Sequence, residues 1–493
     1  MLRLVHVLFG VQPRAQRQMP HIPPEWNEVS FSEAVTDSRE VTPAALFVAL
    51  AGERTDGHFY LGDVIARGAR GALVSRAAVE ARSEALAATT HPWVLVDPAT
   101  GAGFEAAPPD ACLLIAVDDP LMAVQRMAVY HRRQLTPTVV GITGSVGKTS
   151  TKEVVAAVLS RRFRTLKNRR SFNSEATVPT SILRLTAEHQ AAVLEMGMWA
   201  PGEIRFLASL ARPQVGIVTN VGPSHMERLG SIEAIAAAKA ELPESLPADG
   251  WCILNADDPQ VLAMAERTQA RVLTYGFSAT ADVRAEAVQS FGLQGVGFTL
   301  CYADQRRELR SPLVGRHAVY LALSAAATGI ALGMDLDAIV EGLTEPQDLD
   351  ARIVRLEGPN GALIIDDTYN AAPLSVRAAL DLLAEVPGRK IAVLGDMLEL
   401  GAAEEAGHRD VGRYVVGIAD LLVVVGRRAR WIAEAALAAG MPAAQVQVFD
   451  QAEEAAASLR SQLQNSDVVL VKGSRGVEME RATALLRQSP EEE

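Results

Sequence analysis

Cysteine is scarce in this chain: Cys112, Cys252 and Cys301 lie far apart among 493 residues, with no CxxC pair. An odd, scattered set supports neither a disulfide framework nor a zinc knuckle, and it fits a reducing compartment. Basic excess is missing too. Lys and Arg number 47 against 59 Asp and Glu, a net charge of −12. That argues against a uniformly basic nucleic-acid binder while leaving a local basic patch open. No stretch reaches the roughly 18 uninterrupted apolar residues of a membrane span. The apolar start MLRLVHVLFGV is interrupted by Arg3 and His6, and no small-residue cleavage site follows. It reads as a short helix or strand rather than a signal peptide. GxGxxG is absent, so a dinucleotide is not indicated, and no solenoid repeat is visible. The expectation is a cytoplasmic, monomeric protein with small-molecule partners, no nucleic acid and no membrane span.

What is present is ordinary globular material, 49% apolar and 22% charged. At roughly 150 residues per domain the length suggests about three domains. Residues 1–135 hold a turn and then a strand at 36–50, a helix followed by a strand at 60–76, a strand at 91–97, a Gly/Ala/Pro-rich loop expected to be exposed at 99–111, and a helical pattern at 121–135. Thr136-Pro137 breaks that helix and opens a second domain, 136–345. Its apolar strands at 137–143, 191–197, 215–221, 251–259 and 271–277 alternate with helical patterns. Residues 282–310 look antiparallel, and an alanine-rich helix follows near 318–333. A third domain, 346–493, repeats the alternation at 361–367, 390–396, 420–426 and 467–473. The fold class is α/β: three domains, a central P-loop-type parallel sheet with helices on both faces, and a C-terminal Rossmann-like domain.

The strongest local signal is GITGSVGKTST at 141–151. A strand runs into a glycine turn, and a helix begins at once. Glycines let backbone N–H groups converge on phosphate oxygens, and the helix N-terminus adds its partial positive charge. Thr143, Gly144, Ser145, Val146, Gly147, Lys148, Thr149 and Ser150 would form this cradle. Lys148 would reach the β/γ-phosphates, and the Thr149 hydroxyl would meet Mg²⁺. Ile142 stands where the common P-loop has glycine. The bland alternative is a glycine turn with an incidental Lys-Thr.

A nucleotide site needs a carboxylate on its metal side. Glu195 ends the strand AAVLEMG, and strand C-termini in an open parallel sheet converge on the ligand crevice. His225 follows the next strand, on the same edge. Lys239 lies in the alanine-rich helix SIEAIAAAKAEL. Each has an ordinary reading: a surface glutamate, a polar loop histidine, a solvated lysine.

Together these residues resemble the Mur ligase family, the ATP-dependent amide ligases of peptidoglycan precursor synthesis, over almost the whole chain. That family lacks the first P-loop glycine and keeps TGxxGKT, matched from Thr143 to Thr149. The resemblance implies ATP and Mg²⁺ as cofactors, with Thr149, Glu195 and His225 as metal ligands. It also implies that Lys239 is the family's carbamylated lysine, whose anion suits a second Mg²⁺. IIDDTYNAAP (364–373), VLGDMLELG (393–401) and KGSR (472–475) resemble the branch that adds D-alanyl-D-alanine to UDP-N-acetylmuramoyl-tripeptide. TDSR (36–39), with Ser38 and Arg39, LFVALAGERTDGH (46–58) and GARGALV (68–74) resemble the uridine-binding domain shared with the diamino-acid-adding branch, whose DNPR is absent.

Departures from the family are local. SFNSE (171–175) keeps Asn173 and Glu175 at the implied substrate contact but has Ser171 for the first asparagine. GRHAVYLALSAAA (315–327) places Ala318 and Leu321 where the family has two asparagines beside adenine, leaving His317 and Asn255 as the side chains for that end. Ala372 replaces the second asparagine of YNAN.

The implied chemistry makes an acyl phosphate from an unreactive carboxylate and ATP, and an amine then displaces phosphate. Carboxylate and γ-phosphate are both anions, so Lys148 and Mg²⁺ would neutralise their approach. Arg352 resembles the family arginine that reaches the nucleotide on domain closure. Asp367, Tyr369 and Asn370 occupy a strand-end loop facing the cleft, and His408 is a further family-like position. Other readings stay open at this point: the diamino-acid-adding branch, folylpolyglutamate synthetase, or a non-catalytic UDP-peptide binder. A GTPase switch would want an NKxD motif, and none is present.

Overall fold

The computed structural model describes residues 2–52, 55–82, 86, 88–89, 91–106, 108–224, 226–345 and 353–487. They form two compact units. The first comprises Met1–Gly141, Phe163–Gly197 and Arg205–Pro213; the second comprises Ile142–Arg162, Met198–Ile204 and Gln214–Glu493.

In the first unit a parallel sheet holds β1 (Ala34–Val35), β2 (Leu46–Val48), β3 (Gly71–Ser75), β4 (Trp93–Val96) and β5 (Cys112–Val117), in the order β1-β2-β3-β5-β4. The following helix, α1 (Pro120–Arg132), starts where sequence logic puts a start. The Asp119 carboxylate accepts the Leu121 and Met122 N–H groups, and Pro120 opens the first turn. The stretch at 99–111 is less exposed than its composition suggests. Gly101, Phe104 and Ala111 are buried, and the Phe104 ring lies 5.4 Å from Trp26. One apolar side chain inside a Gly/Ala/Pro run is enough to pin it to the core. β6 (Thr138–Thr143) leads out of this unit. The parallel pair β7 (Thr165–Lys167) and β8 (Ala191–Glu195) belongs to it.

The second unit begins with α2 (Lys148–Leu159). β9 (Val215–Val218), β10 (Trp251–Asn255) and β11 (Arg271–Gly276) are parallel, and helix α3 (Ile232–Lys239) lies between the first two. β12 (Val283–Ser290), β13 (Val296–Tyr302) and β14 (Gln305–Ser311) are antiparallel, as their alternation predicts. Helix α4 (Ala318–Ala331) is apolar nearly all round, and it packs against α2 and β10–β12.

The same unit carries a six-stranded sheet of β15 (Val354–Glu357), β16 (Leu363–Asp367), β17 (Arg389–Gly395), β18 (Leu421–Val425), β19 (Val446–Phe449) and β20 (Asp467–Lys472), ordered β15-β16-β20-β17-β18-β19. The four apolar runs are its four central strands. They are buried on both faces, with Leu380 and Val411 on one side and Leu459 and Leu486 on the other. The two edge strands are not legible in the sequence: VRLE and VQVF are only four residues long, and neither holds a fully buried residue. β15 runs antiparallel. Among the described residues no helix is long and apolar enough to cross a membrane, and all three cysteines are free and buried.

Candidate active site

The phosphate-loop reading has its geometric counterpart. β6 ends at buried Thr143, whose Oγ1 has no hydrogen-bond partner among the described residues. Gly144 follows at φ +149°, and a Cβ there would stand 1.9 Å from Thr219 Oγ1. Gly147, at φ +84°, is the left-handed residue that opens α2. Lys148 folds back so that its Nζ donates to the Gly144 carbonyl at 2.9 Å. Thr149, next in the helix, is buried.

The loop is held from across the sheet. Asn220 Oδ1 accepts the Val146 N–H at 2.9 Å, and its Nδ2 donates to the Val146 carbonyl at 2.9 Å. Thr219 Oγ1 donates to that same carbonyl at 2.8 Å. Ser145 Oγ donates to the Gly222 carbonyl and accepts its N–H, at 3.0 and 2.9 Å. Sequence reasoning passed over Thr219 and Asn220. Their signal was a polar Thr-Asn pair at a strand end ahead of His225.

Lys239 is the last residue of α3 and is 1% exposed. The solvated-lysine reading is therefore wrong. Burial, and then the positive charge of Lys148, hold its amine well below the ordinary lysine range. The two lysines thus feel each other. His225, expected beside them, lies outside the described residues, as does Arg352.

In the first unit Glu195 closes β8 with 1% exposure, so it is not a surface glutamate. Asn173 Nδ2 donates to its Oε1 at 2.7 Å. Asn168 brackets its backbone, accepting the Glu195 N–H at 3.1 Å and donating to its carbonyl at 3.4 Å. Asn173, expected at substrate, thus reaches the carboxylate. Glu175 is exposed and offers its carbonyl to Gln125 at 3.2 Å. In TDSR, Asp37 caps the turn holding Ser38, and Arg39 pairs with it at 2.7 Å while remaining 84% exposed. A small surface cleft beside this turn is lined by Glu33, Thr36, Glu40, Arg169, Phe172 and Arg184.

At the expected base end, Asn255 is buried and engaged with backbone. Its Nδ2 donates to the Thr219 carbonyl at 3.1 Å, and its Oδ1 accepts the Asp257 N–H at 3.0 Å. Leu321 lies over the phosphate loop, 3.7 Å from where a Gly147 Cβ would be. His317 precedes α4. Burial of the ring, then the charge of Lys472, pushes it down to about 4, with Asp381 opposing.

Lys472 comes from the other sheet. It and Asp367 are register partners at the ends of β20 and β16, and their side chains pair at 2.6 Å. Lys472 also donates to the Asn370 carbonyl at 2.9 Å, and Ser474 Oγ to the Ala371 carbonyl at 3.2 Å. Asn370 accepts the Ala371 N–H, while Tyr369 is 40% exposed. Three strand-end loops, at 367–373, 396–401 and 472–477, are laced together there.

The comparisons with known proteins follow this layout. Sequence profiles match in chain order: "Mur ligase family, catalytic domain" at residues 32–103, "Mur ligase middle domain" at 142–329 and "Mur ligase, glutamate ligase domain" at 351–475. The UDP-N-acetylmuramoyl-tripeptide–D-alanyl-D-alanine ligase of Bacillus subtilis is 32% identical over 470 residues, 95% of either chain. The chain belongs to the Mur ligase family. A crystal structure of MurF from Acinetobacter baumannii shares 30% identity and 95% of each chain at a TM-score of 0.77. The Thermotoga maritima MurF ligase in complex with ADP shares 25% identity, covering 93% of this chain and 98% of that one, at 0.74.

The fold class read from the sequence is therefore that of a three-domain Mur ligase. In this Mur ligase His408 has a structural part. Its Nδ1–H donates to the Glu404 carbonyl at 2.7 Å, and its Nε2 accepts the Met397 N–H at 3.0 Å. The ring is fully buried, edge-on to Trp431. It clasps the loop at 396–401 as a neutral imidazole, and burial lowers its pKa. His408→Ala is expected to cost about 2 kcal/mol by orphaning a buried N–H, read by urea unfolding. The neutral ring's contribution is complete above the ordinary histidine pKa of about 6.5. It declines as pH falls below that, because the unfolded chain takes up the proton first.

Proposed function

We propose that this Mur ligase joins D-alanyl-D-alanine to UDP-N-acetylmuramoyl-tripeptide in peptidoglycan precursor synthesis, consuming ATP through an acyl phosphate. The observation that carries it is the phosphate loop, with the charge of its Lys148 felt by buried Lys239, in a chain aligned over 95% of its length with a ligase of that name. We assign nucleotide binding to residues 136–345, uridine binding to 1–135 and the incoming dipeptide to 346–493. Each matched profile falls inside one of these spans.

Phosphate oxygens would sit on the backbone N–H groups at the start of α2, where the helix terminus favours anions. Lys148, released from the Gly144 carbonyl, would neutralise the γ-phosphate as the substrate carboxylate approaches. Asp367, Tyr369 and Asn370 are our candidates for the dipeptide side. Ser38 and Arg39, with the adjoining cleft, are those for the UDP-peptide. His225 and Arg352 keep the metal and nucleotide roles that family membership suggests.

Among the described residues no three His, Cys, Asp or Glu side chains stand together as a metal cage. Mg²⁺ does not require one, since it takes one or two protein oxygens together with water and phosphate. By residue chemistry each donor fits separately: the Thr149 hydroxyl in the second unit is a hard oxygen donor, and so is the Glu195 carboxylate in the first, which Asn173 orients. A carbamate on Lys239 would add a third. Bound Mg²⁺ supplies charge neutralisation between the two anionic reactants.

The test is phosphate release with UDP-N-acetylmuramoyl-tripeptide and ATP, comparing D-alanyl-D-alanine with L-lysine, diaminopimelate and glutamate. Turnover with the dipeptide alone is expected. Turnover with diaminopimelate or lysine instead would move the chain to the diamino-acid-adding branch.

The apolar base end gives a further expectation. Ala318 and Leu321 offer no hydrogen bonds, and Asn255 is spent on backbone. Asparagines restored at both positions are expected to raise the ATP-over-GTP ratio of kcat/KM by roughly five-fold per contact. An unchanged ratio in the double variant would mean that the base is read elsewhere.

A further inference from the structure

The Val146–Gly147 peptide is the element of the phosphate loop most able to turn over. A flip changes ψ of Val146 and φ of Gly147, and glycine takes either sign of φ at little steric cost. The Val146 carbonyl and the Gly147 N–H belong to one planar trans unit and point in opposite directions. Whatever holds the carbonyl therefore aims the N–H. Flipped, the peptide would present its carbonyl oxygen where that N–H now stands, beside the α2 N-terminus that favours anions.

Two hydrogen bonds oppose the flip, and a third fixes the peptide before it. Asn220 Nδ2 and Thr219 Oγ1 both donate to the Val146 carbonyl, at 2.9 and 2.8 Å. Asn220 Oδ1 takes the Val146 N–H at 2.9 Å, which fixes the preceding peptide as well. Behind them, Asn255 holds the Thr219 carbonyl. The arrangement has a polarity: only a side chain with a donor and an acceptor side by side can satisfy both groups of Val146, and a carboxamide is such a group.

We propose that Asn220 is a positioning residue for the nucleotide reaction, a clamp that keeps the Val146 carbonyl turned away and the Gly147 N–H available to phosphate. It acts through the loop backbone. The proposal rests on the reading of that loop as the nucleotide site.

The test uses full-length protein, a fluorescent ADP analogue (mant-ADP) for direct titration, and steady-state kinetics. Asn220→Ala is expected to weaken mant-ADP binding about ten-fold and to raise KM for ATP by a similar factor, as for two lost hydrogen bonds. KM for the dipeptide and kcat at saturating ATP are expected to stay near wild type. Asn220→Asp still accepts the Val146 N–H but repels its carbonyl, so it is expected to bind no better than Asn220→Ala near neutral pH. Its affinity is expected to recover as the pH falls and the carboxyl gains a proton to donate, a trend absent from Asn220→Ala. Thr219→Val, which removes one bond with little change of shape, is expected to lose about three-fold, and it carries the test if the Asn220 variants do not fold. Wild-type affinity in Asn220→Ala, or an Asn220→Asp profile parallel to that of alanine at every pH, overturns the clamp. If the wild type itself does not bind mant-ADP, the nucleotide reading fails first and the clamp with it.

Discussion

Lys148→Ala is expected to lose ATP-dependent ligation by about three orders of magnitude while keeping its fold, as measured by phosphate release and by circular dichroism. The ammonium rests on the Gly144 carbonyl at the start of α2, half-buried, and little core packing depends on it. On the proposed reading its removal would leave the γ-phosphate and the incoming carboxylate without a fixed positive charge, and losses of about 10²–10³ follow from deleting even one preorganised donor of this kind. A second consequence distinguishes a charge role from a packing role. Lys148 helps to depress the pKa of Lys239, so in the alanine variant that pKa is expected to rise toward the ordinary lysine value. Wild-type turnover in a folded Lys148→Ala protein would remove the phosphate-loop assignment.

Lys239→Ala is expected to lose at least about two orders of magnitude in activity, of the size seen when one fixed charge at a reacting phosphate is lost. Short carboxylates such as acetate are expected to restore part of it. The amine is buried and lies within the field of Lys148, and both hold its pKa well below the ordinary lysine range. An ammonium is poorly tolerated there, whereas the neutral amine is the form that adds to carbon dioxide and, on losing a proton, leaves a carbamate anion. Depletion of bicarbonate is therefore expected to slow the wild type. Stability offers an independent reading. With the folded pKa below the unfolded one, the unfolded chain binds more protons, so in bicarbonate-free buffer stability is expected to rise with pH from neutral toward the ordinary lysine range. Lys239→Met is expected to flatten that rise. Full activity of Lys239→Ala without added carboxylate would return the residue to a structural role.

Much of this was readable in one dimension because the signals are local. The four central strands of the C-terminal sheet are continuous apolar runs, which belong in a parallel sheet covered on both faces. Strand, glycine turn, lysine and helix at 138–159 are contiguous, so their joint occurrence needed no tertiary information. The edge strands at 354–357 and 446–449 are four residues each, interrupted by polar Arg355 and Gln447, and too short to stand out as apolar runs. For His408 the sequence offered a position without a role, because its two partners, Glu404 and Met397, become visible only once the loop at 396–401 is folded over the ring.

The sequence by itself determined the α/β class, the phosphate loop and the family motifs, down to the substituted Ala318 and Leu321. Each of these depends on neighbours within a few turns of chain. The tertiary structure alone decided which charges are out of water and which amides hold which backbone. Lys239 looks solvated in an alanine-rich helix and is buried within the field of Lys148. Asn173 leans on Glu195, Asn255 holds Thr219, and Asn220 grips Val146 from 74 residues away. Desolvation and side-chain-to-backbone hydrogen bonding are set by what the fold brings within about 3 Å, and spacing along the chain carries no record of that.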